Sequence, residues 1–229
     1  MWLSSSESTA LRLSLAVAAR SVVFSLPAAV AIAWVLTRVR FVGRTFMDAV
    51  VHLPLVLPPV VVGYGLLLLF GTRGLVGGWL EYRFGVVLVF TRNGAALATA
   101  VMSFPLMVRA MRLSLENVDR GLEDAARTLG AGALDRFASI TLPLMLPGII
   151  AGAITAFSAA LGEFGAVITF VSNIPGETRT LPLALYTALQ SPGGEHAAGR
   201  LAGLSVGLGL GGLLVSEWFA RRVRRRLGR

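Results

Sequence analysis

Apolar residues in this chain form long, nearly uninterrupted runs. A bilayer core about 30 Å thick needs about 20 mostly apolar helical residues to cross it. Five stretches reach that length, at about residues 13–36, 49–70, 91–113, 142–171 and 199–220. The pattern therefore predicts an all-α fold, a polytopic membrane helix bundle of five transmembrane helices that forms one domain over residues 1–229.

Two of these stretches depart from the length of a single span. The third has a short apolar core, 94–108, and crosses the bilayer only if Arg109 and Arg112 extend toward the headgroups. The fourth, 142–171, is about ten residues longer than one span requires. A sixth span would need this fourth stretch to split, or residues 84–90 to form one, and six spans remain an alternative.

Composition supports the membrane assignment and excludes several chemistries. Hydrophobic residues make up 55% of the chain and charged residues only 14%, against about 25% charged in average proteins. The chain contains neither Lys nor Cys, so it lacks the P-loop lysine, a Schiff-base amine, thiolates and Cys-ligated zinc. Its two His residues are too few and too far apart to predict a metal site, and no cofactor is expected. The net charge of +9 favours anionic lipid headgroups over nucleic acid.

The arginines predict the orientation of the bundle. Cytoplasmic connections are enriched in Lys and Arg. Of the 21 basic residues, fourteen fall in the connections after the first and third stretches and in the tail, and seven fall elsewhere (14 + 7 = 21). The C-terminus is therefore expected in the cytoplasm and, with five spans, the N-terminus outside.

The connection between the third and fourth stretches, residues 116–141, is patterned like two short helices. Apolar residues recur in it at spacings of three and four, namely Leu115, Val118, Leu122, Ala126 and Leu129. Asp119 can cap the first helix, and Gly130-Ala131-Gly132 can end it. The second helix would pass through Leu134 and Phe137 and stop at Leu142-Pro143. A structural return of the chain to the bilayer and a docking surface fit this pattern equally well.

This connection also carries a long, gapped motif. Asp124-Ala125-Ala126, then Gly130 four residues beyond Ala126, and nine residues later Ile140-Thr141-Leu142-Pro143, resemble the coupling motif of bacterial ABC importer permeases. The family usually has Glu where Asp124 stands, and Glu123 is adjacent. The segments that begin at His52, Ala100 and Gly162 resemble the molybdate permeases of that family over nearly the whole chain.

The resemblance implies a permease that is not itself an enzyme and has no catalytic residue. It implies an inner-membrane homodimer that binds two ABC ATPase subunits in the cytoplasm and receives molybdate from a binding protein outside. Tungstate is not distinguished from molybdate; a sulfate-type permease is the first alternative and an ion-coupled secondary transporter a weaker one. The expected ATPase-coupling residues are Glu123, Asp124, Ala125, Ala126, Leu129, Gly130 and Ala131.

A transport pathway or gate is expected where the spans contain breaks. Prolines and glycines interrupt the second stretch, and an ionisable residue lies between glycines in the fourth. The expected residues are Pro58, Pro59, Gly63, Glu163, Phe164 and Gly165. A kinked helix away from the path is an equal alternative for the prolines, and a solvated interfacial carboxylate is an equal alternative for Glu163. Because a carboxylate repels a dianion, Glu163 is expected to be paired or hydrogen-bonded and not to touch the substrate.

Three further features complete the expectations. The polar segment 172–182 would lie outside, where Asn173, Glu177 and Arg179 could dock the binding protein, plug the cavity mouth or form a plain solvated loop. Gly203, Gly207 and Gly211 repeat every four residues, which is typical of close helix packing within or between subunits. The arginine-rich tail from residue 221 is expected to anchor to lipid headgroups, with Glu217 and Arg221 spaced to pair.

Overall fold

Helices are the only regular elements in the described part of the chain. The computed structural model describes residues 3–226, and in the last helix it leaves out the side chains at 213, 216, 217 and 219–226. The predicted Glu217–Arg221 pair and tail anchor lie outside the described residues. The helices are α1 Ser5–Arg38, α2 Arg44–Val56, α3 Pro59–Phe70, α4 Leu75–Phe84, α5 Arg92–Glu116, α6 Arg120–Thr128, α7 Ala133–Arg136, a π-helical turn Phe137–Thr141, α8 Leu142–Leu161, α9 Gly165–Val171, α10 Leu181–Leu189 and α11 Glu195–Arg226.

Three uninterrupted helical segments within the described residues are long and apolar enough to cross a membrane. They are Ser5–Arg38, Arg92–Glu116 and Ala133–Leu161. The predicted stretch 49–70 is instead two helices, α2 and α3, which meet at a bend of 117°. The bend follows from Pro58 and Pro59, because proline has no backbone N–H and forces the preceding Leu57 into extended backbone with φ −75° and ψ 143°.

The predicted stretch 142–171 also divides. α8 ends at Leu161, and α9 begins at Gly165 after a three-residue break. Residues 84–90, the other candidate for a sixth span, form no helix of their own: Phe84 is the last residue of α4, and Gly85 follows with φ +64°. The fourth apolar stretch is therefore longer than one span, as predicted, and its extra residues form the break at 162–164 and the short helix α9.

Small residues let the central helix α5 pack closely on α8. A Cβ at Gly148 would lie 2.3 Å from Ser114 Cβ, and one at Gly152 would lie 3.1 Å from the carbonyl oxygen of Met107. Fully buried side chains fill the space between these helices and α1, among them Leu36, Met107 and Met145. Close backbone approach of this kind is what drives helix association in lipid, where burial of apolar surface gives little.

Polar contacts identify which helix termini share an end of the bundle. At one end, here called the coupling end, Arg38 pairs with Glu123 and Arg112 pairs with Asp48. At the other, here called the loop end, Arg200 pairs with Glu7 and Arg92 pairs with Glu177. α1 and α11 therefore both start at the loop end and run toward the coupling end.

The glycine repeat of α11 does not make the expected close contact within this chain. A Cβ at Gly203, Gly207 or Gly211 would meet nothing within 4 Å, whereas one at Gly212 would lie 2.3 Å from Ser158 Oγ. Leu208 packs with the buried cluster of Ala18, Ala160 and Leu161. The register of α11 therefore presents Leu208 and Gly212 to the bundle, and the repeat lies beside that contact.

Candidate functional site

The two short helices predicted in the connection form with the predicted caps. Asp119 Oδ1 accepts a hydrogen bond of 2.8 Å from the Gly121 N–H at the start of α6. Gly130 ends the helix with φ +87°, in the left-handed region, and the Ala131 N–H donates to the Ala126 carbonyl oxygen at 3.0 Å. The chain then turns into α7, where Arg136 Nη1 donates to the Ala131 carbonyl oxygen at 2.7 Å.

The predicted helix end at Leu142-Pro143 is wrong. α7, the π-helical turn and α8 follow one another without interruption from Ala133 to Leu161. In the π-helical turn the Leu142 N–H donates to the Phe137 carbonyl oxygen, five residues back, and this wider turn carries the helix past Pro143. α7 is therefore a continuous extension of the long apolar helix α8 at the coupling end.

The predicted apolar stripe does not lie on one helix face. Leu115 and Val118 precede α6 and are buried in the core between α1, α5 and α8. Leu122, Leu129 and Leu134 are exposed to 49%, 88% and 85%. Leucines this exposed on short, otherwise polar helices are typical of an interaction surface. Of the residues in the predicted stripe, Leu115 and Val118 are therefore buried, whereas Leu122 and Leu129 are exposed.

Glu123 connects α6 to the end of α1 and to the π-helical turn before α8. Its Oε1 lies 3.2 Å from Arg38 Nη2 at the end of α1 and accepts a 2.8 Å hydrogen bond from Thr141 Oγ1 in the π-helical turn. Arg38 also donates to the Val118 carbonyl oxygen at 3.2 Å. The Arg38 and Glu123 side chains are only 9% and 21% exposed, so this pair is screened far less than a surface ion pair.

The other predicted coupling residues differ in their exposure. Asp124 points outward and pairs with Arg127 at 3.1 Å, with the two side chains 64% and 67% exposed, a contact worth at most about 1 kcal/mol. Ala125, Leu129 and Gly130 are exposed, and Ala126 and Ala131 are half-buried. Glu123 is therefore the anchored acid of the motif and Asp124 the outward one, a division that the sequence did not indicate.

The two helix breaks come together in space. A Cβ at Gly63 in α3 would lie 2.7 Å from the Ala166 carbonyl oxygen in α9, and a Cβ at Gly165 would lie 2.8 Å from Pro59 Cβ. Backbones this close are possible only because both positions are glycine. Of the six residues expected in a pathway or gate, the structure thus joins Pro59, Gly63 and Gly165 in one contact, here called the break contact.

The remaining three expected gate residues flank the break contact. Pro58 is the exposed residue before α3. Glu163 is half-buried in the break before α9, and its Oε1 accepts a 2.9 Å hydrogen bond from the Ala166 N–H. Phe164 lies against the ring of Tyr186, with centroids 5.2 Å apart. Tyr186 was missed because it lies in α10, and no spacing in the sequence connects it to the break.

The three expected docking residues belong to an ordered network at the loop end. Arg179 Nε donates to Asn173 Oδ1 at 2.8 Å, and Asn173 Nδ2 donates to Thr187 Oγ1 at 2.8 Å. Glu177 pairs with Arg92 at 3.1 Å. The hydroxyl of buried Thr178 donates to the Ser172 carbonyl oxygen at 3.0 Å. The segment is therefore held by specific hydrogen bonds, unlike a plain solvated loop.

Comparison with known sequences shows which class of protein this chain belongs to. The chain belongs to the family of binding-protein-dependent transport system inner membrane components, whose family model matches residues 22–228. It is accordingly an inner membrane transport component.

Its relatives within that class carry particular names. It is 58% identical over 229 residues, all of both chains, to the molybdenum transport system permease protein ModB of Escherichia coli (strain K12). It is 52% identical over 222 residues, 97% of each chain, to the protein of the same name from Haemophilus influenzae. The sulfate transport system permease protein CysT of E. coli (strain K12) is 41% identical over 158 residues, 69% of this chain and 57% of that protein.

Solved structures support the fold. A bacterial ABC transporter involved in the import of the acidic polysaccharide alginate has a TM-score of 0.72 at 17% identity, covering 99% of this chain and 82% of that one. The alginate transporter in complex with its pentasaccharide-bound periplasmic protein has a TM-score of 0.71 at 18% identity, covering 98% and 80%. The predicted all-helical permease fold is confirmed.

Because of the break contact, we expect alanine substitutions at Gly63 and Gly65 to have opposite effects on stability. Gly63→Ala places a methyl group 2.7 Å from a backbone oxygen, which should force α3 and α9 apart and destabilise the protein by about 1–3 kcal/mol. Gly65→Ala meets nothing within 4 Å and should be neutral or slightly stabilising, because alanine favours helix. Thermal unfolding of the detergent-purified variants measures both. Equal melting temperatures for the two would contradict the close packing of α3 on α9.

Proposed function

We propose that this chain is the permease subunit of an ATP-driven importer that carries molybdate across the inner membrane. The observation that carries the proposal is end-to-end identity of 58% with a molybdenum permease. The sulfate permease matches only 69% of this chain, at lower identity. Tungstate has nearly the size and charge of molybdate, and we propose that the permease does not separate the two.

The coupling end is the proposed docking site for two copies of a separate ATPase. Without lysine the chain has no P-loop, so ATP hydrolysis must come from another subunit. Exposed Leu122, Leu129 and Leu134 offer apolar contacts, and Asp124, Arg127 and the alanines beside them line the same helix. An ion-coupled secondary transporter would have no need for such an outward-facing helix pair.

Five crossings are the topology we propose. They are α1, the bent pair α2–α3, α5, the segment α7–α8–α9, and α11, with α4 and α10 as short helices toward the loop end. The shared termini of α1 and α11 and the concentration of arginines at the coupling end support a cytoplasmic C-terminus. The N-terminus and the 172–182 segment would then face outward.

We propose that two copies of this chain together enclose the path of the dianion. An unpaired ion in hydrocarbon costs many kcal/mol, so the path requires a water-containing cavity that a second copy completes. The exposed sides of α2 and α3, including Tyr64 at 55% and Leu68 at 59%, are suited to that face. Opening and closing would require two discrete arrangements of the bundle, biased by ligands at its two ends.

The break contact is the proposed gate of that cavity. α3 and α9 are short and lie close together at Gly63 and Gly165, and we propose that they move as two rigid pieces. Glu163 would support the gate by capping α9, away from the substrate. A carboxylate on the path would repel a dianion by about 4 kcal/mol per pair of unit charges at 4 Å and an effective dielectric constant of 20.

The loop end is the proposed docking site for the molybdate-binding protein. Asn173, Glu177 and Arg179 present both charges on a hydrogen-bonded segment, so little ordering entropy would be lost on binding. The family description itself specifies dependence on a binding protein. The alginate transporter of similar fold was solved with its periplasmic protein bound, which is consistent with a partner at this end.

Transport in a reconstituted system tests the function. The permease, its ATPase and its binding protein in proteoliposomes should accumulate radioactive molybdate only when ATP is supplied on the ATPase side. Unlabelled tungstate should compete at concentrations similar to molybdate, and sulfate should require a large excess. Uptake driven by a proton or sodium gradient without ATP, or equal competition by sulfate, would contradict the proposal.

The turn between α6 and α7 gives a sharper test of coupling. Gly130→Val places a β-branched residue at φ +87°, at a cost of about 1–3 kcal/mol, and should misalign the two helices. ATP hydrolysis should persist while molybdate uptake falls at least tenfold. Gly132→Val is the matched control, because Gly132 has φ −66° and no atom within 4 Å of an added Cβ. Normal uptake by Gly130→Val would remove this turn from the mechanism.

A further inference from the structure

A basic cavity opens at the coupling end, between the end of α1, the start of α2 and the end of α5. Its volume is about 290 Å³. Four arginines line it, Arg38, Arg40, Arg44 and Arg120, together with the single acid Glu116. None of the motif residues assigned to ATPase coupling lines this cavity, so its charge is not explained by the proposed docking site.

In the part of the chain that the structure describes, Arg40, Arg44 and Arg120 in this cavity have no ion-pair partner, whereas Arg38 is paired with Glu123. Within the described residues, the side chains of Arg40 and Arg44 make no ion pair or hydrogen bond, and Arg120 makes one long contact of 3.5 Å to the Thr37 carbonyl oxygen. Arg38 is nine-tenths buried, and its Nε has no hydrogen-bond partner among the described residues. Buried guanidinium N–H groups normally have a partner, and Arg38 is one of the residues that line the cavity.

Apolar side chains beside the cavity restrict the kind of anion. Val42 is fully exposed, Phe46 is 75% exposed and Phe41 is 38% exposed, and all three lie within two residues of Arg40 or Arg44, in the α1–α2 connection or the first turn of α2. A free inorganic anion gains nothing from them. A phospholipid offers both a phosphate for the arginines and acyl chains for the aromatic and valine side chains.

We propose that this cavity binds the phosphate headgroup of an anionic phospholipid from the leaflet at the coupling end. The site is distinct from general attraction to the membrane surface, because it is concave and includes a buried guanidinium. It has a consequence for the helix pair: Arg38 also holds Glu123 of α6, so a bound phosphate shares the residue that anchors the coupling helices. The binding itself does not depend on what the protein transports.

Native mass spectrometry of the full-length permease in detergent tests the site. Phosphatidylglycerol should be retained as one tight adduct per chain, and phosphatidylcholine should not. Arg40→Ala/Arg44→Ala should weaken that adduct about thirtyfold, from two lost arginine–phosphate contacts. Arg73→Ala/Arg83→Ala, which removes two exposed arginines around α4, is the matched control and should bind as the unmodified protein does. Arg38 is left intact because of its contact with Glu123.

A second double variant distinguishes a bound lipid from a bound free anion. Phe41→Ser/Val42→Ser should weaken the phosphatidylglycerol adduct while leaving any competition by inorganic phosphate unchanged. The proposal is overturned if Arg40→Ala/Arg44→Ala retains the adduct, or if inorganic phosphate displaces the lipid at equal concentration. It is also overturned if the double arginine variant keeps its lipid but loses a co-purifying ATPase, since the cavity would then be a protein interface.

Discussion

The contact of Glu123 with Arg38 and Thr141 is the constraint on which the account depends. α6 is too short to be stable alone, and its exposed leucines contribute nothing to its attachment within the chain. The half-buried carboxylate joins it to the end of α1 and to the π-helical turn that leads into α8. Because α7 continues into α8 without a break, we propose that a displacement of α6 and α7 is transmitted to both α1 and α8.

The apolar helices are interrupted at two places, between α2 and α3 and between α8 and α9. Prolines end α2 and glycines surround the start of α9, and the two half-helices α3 and α9 meet with almost no side chain between them. Interrupted helices at membrane depth are tolerated where protein or a cavity satisfies their backbone groups. Glu163 satisfies one such group at the start of α9. We propose that the contact between α3 and α9 lets the bundle rearrange without unfolding, while Glu123 holds α6 against α1 and the π-helical turn.

Features that depend on neighbouring residues could be predicted from the sequence, whereas contacts between residues far apart in the chain could not. Asp119 and Gly130 were predicted as caps because capping depends on neighbours within a few residues. The Arg38–Glu123 pair and the Phe164–Tyr186 contact join residues far apart in the chain, and no spacing indicates them. The end at Pro143 was wrong because a π-helical turn carries the continuous helix past the proline. The glycine repeat of α11 makes no close contact within this chain, because periodicity does not specify which face meets a neighbour, and its packing between subunits stays a prediction.

A double-mutant cycle on the anchor tests the central claim most directly. Arg38→Gln, Glu123→Gln and the double variant would be reconstituted with the ATPase and the binding protein, and the molybdate moved per ATP hydrolysed would be measured for each. The account predicts that both single variants lower this ratio by similar factors and that the double variant lowers it no further, because one shared contact has been lost. Unchanged ratios, or losses that multiply in the double variant, would contradict it.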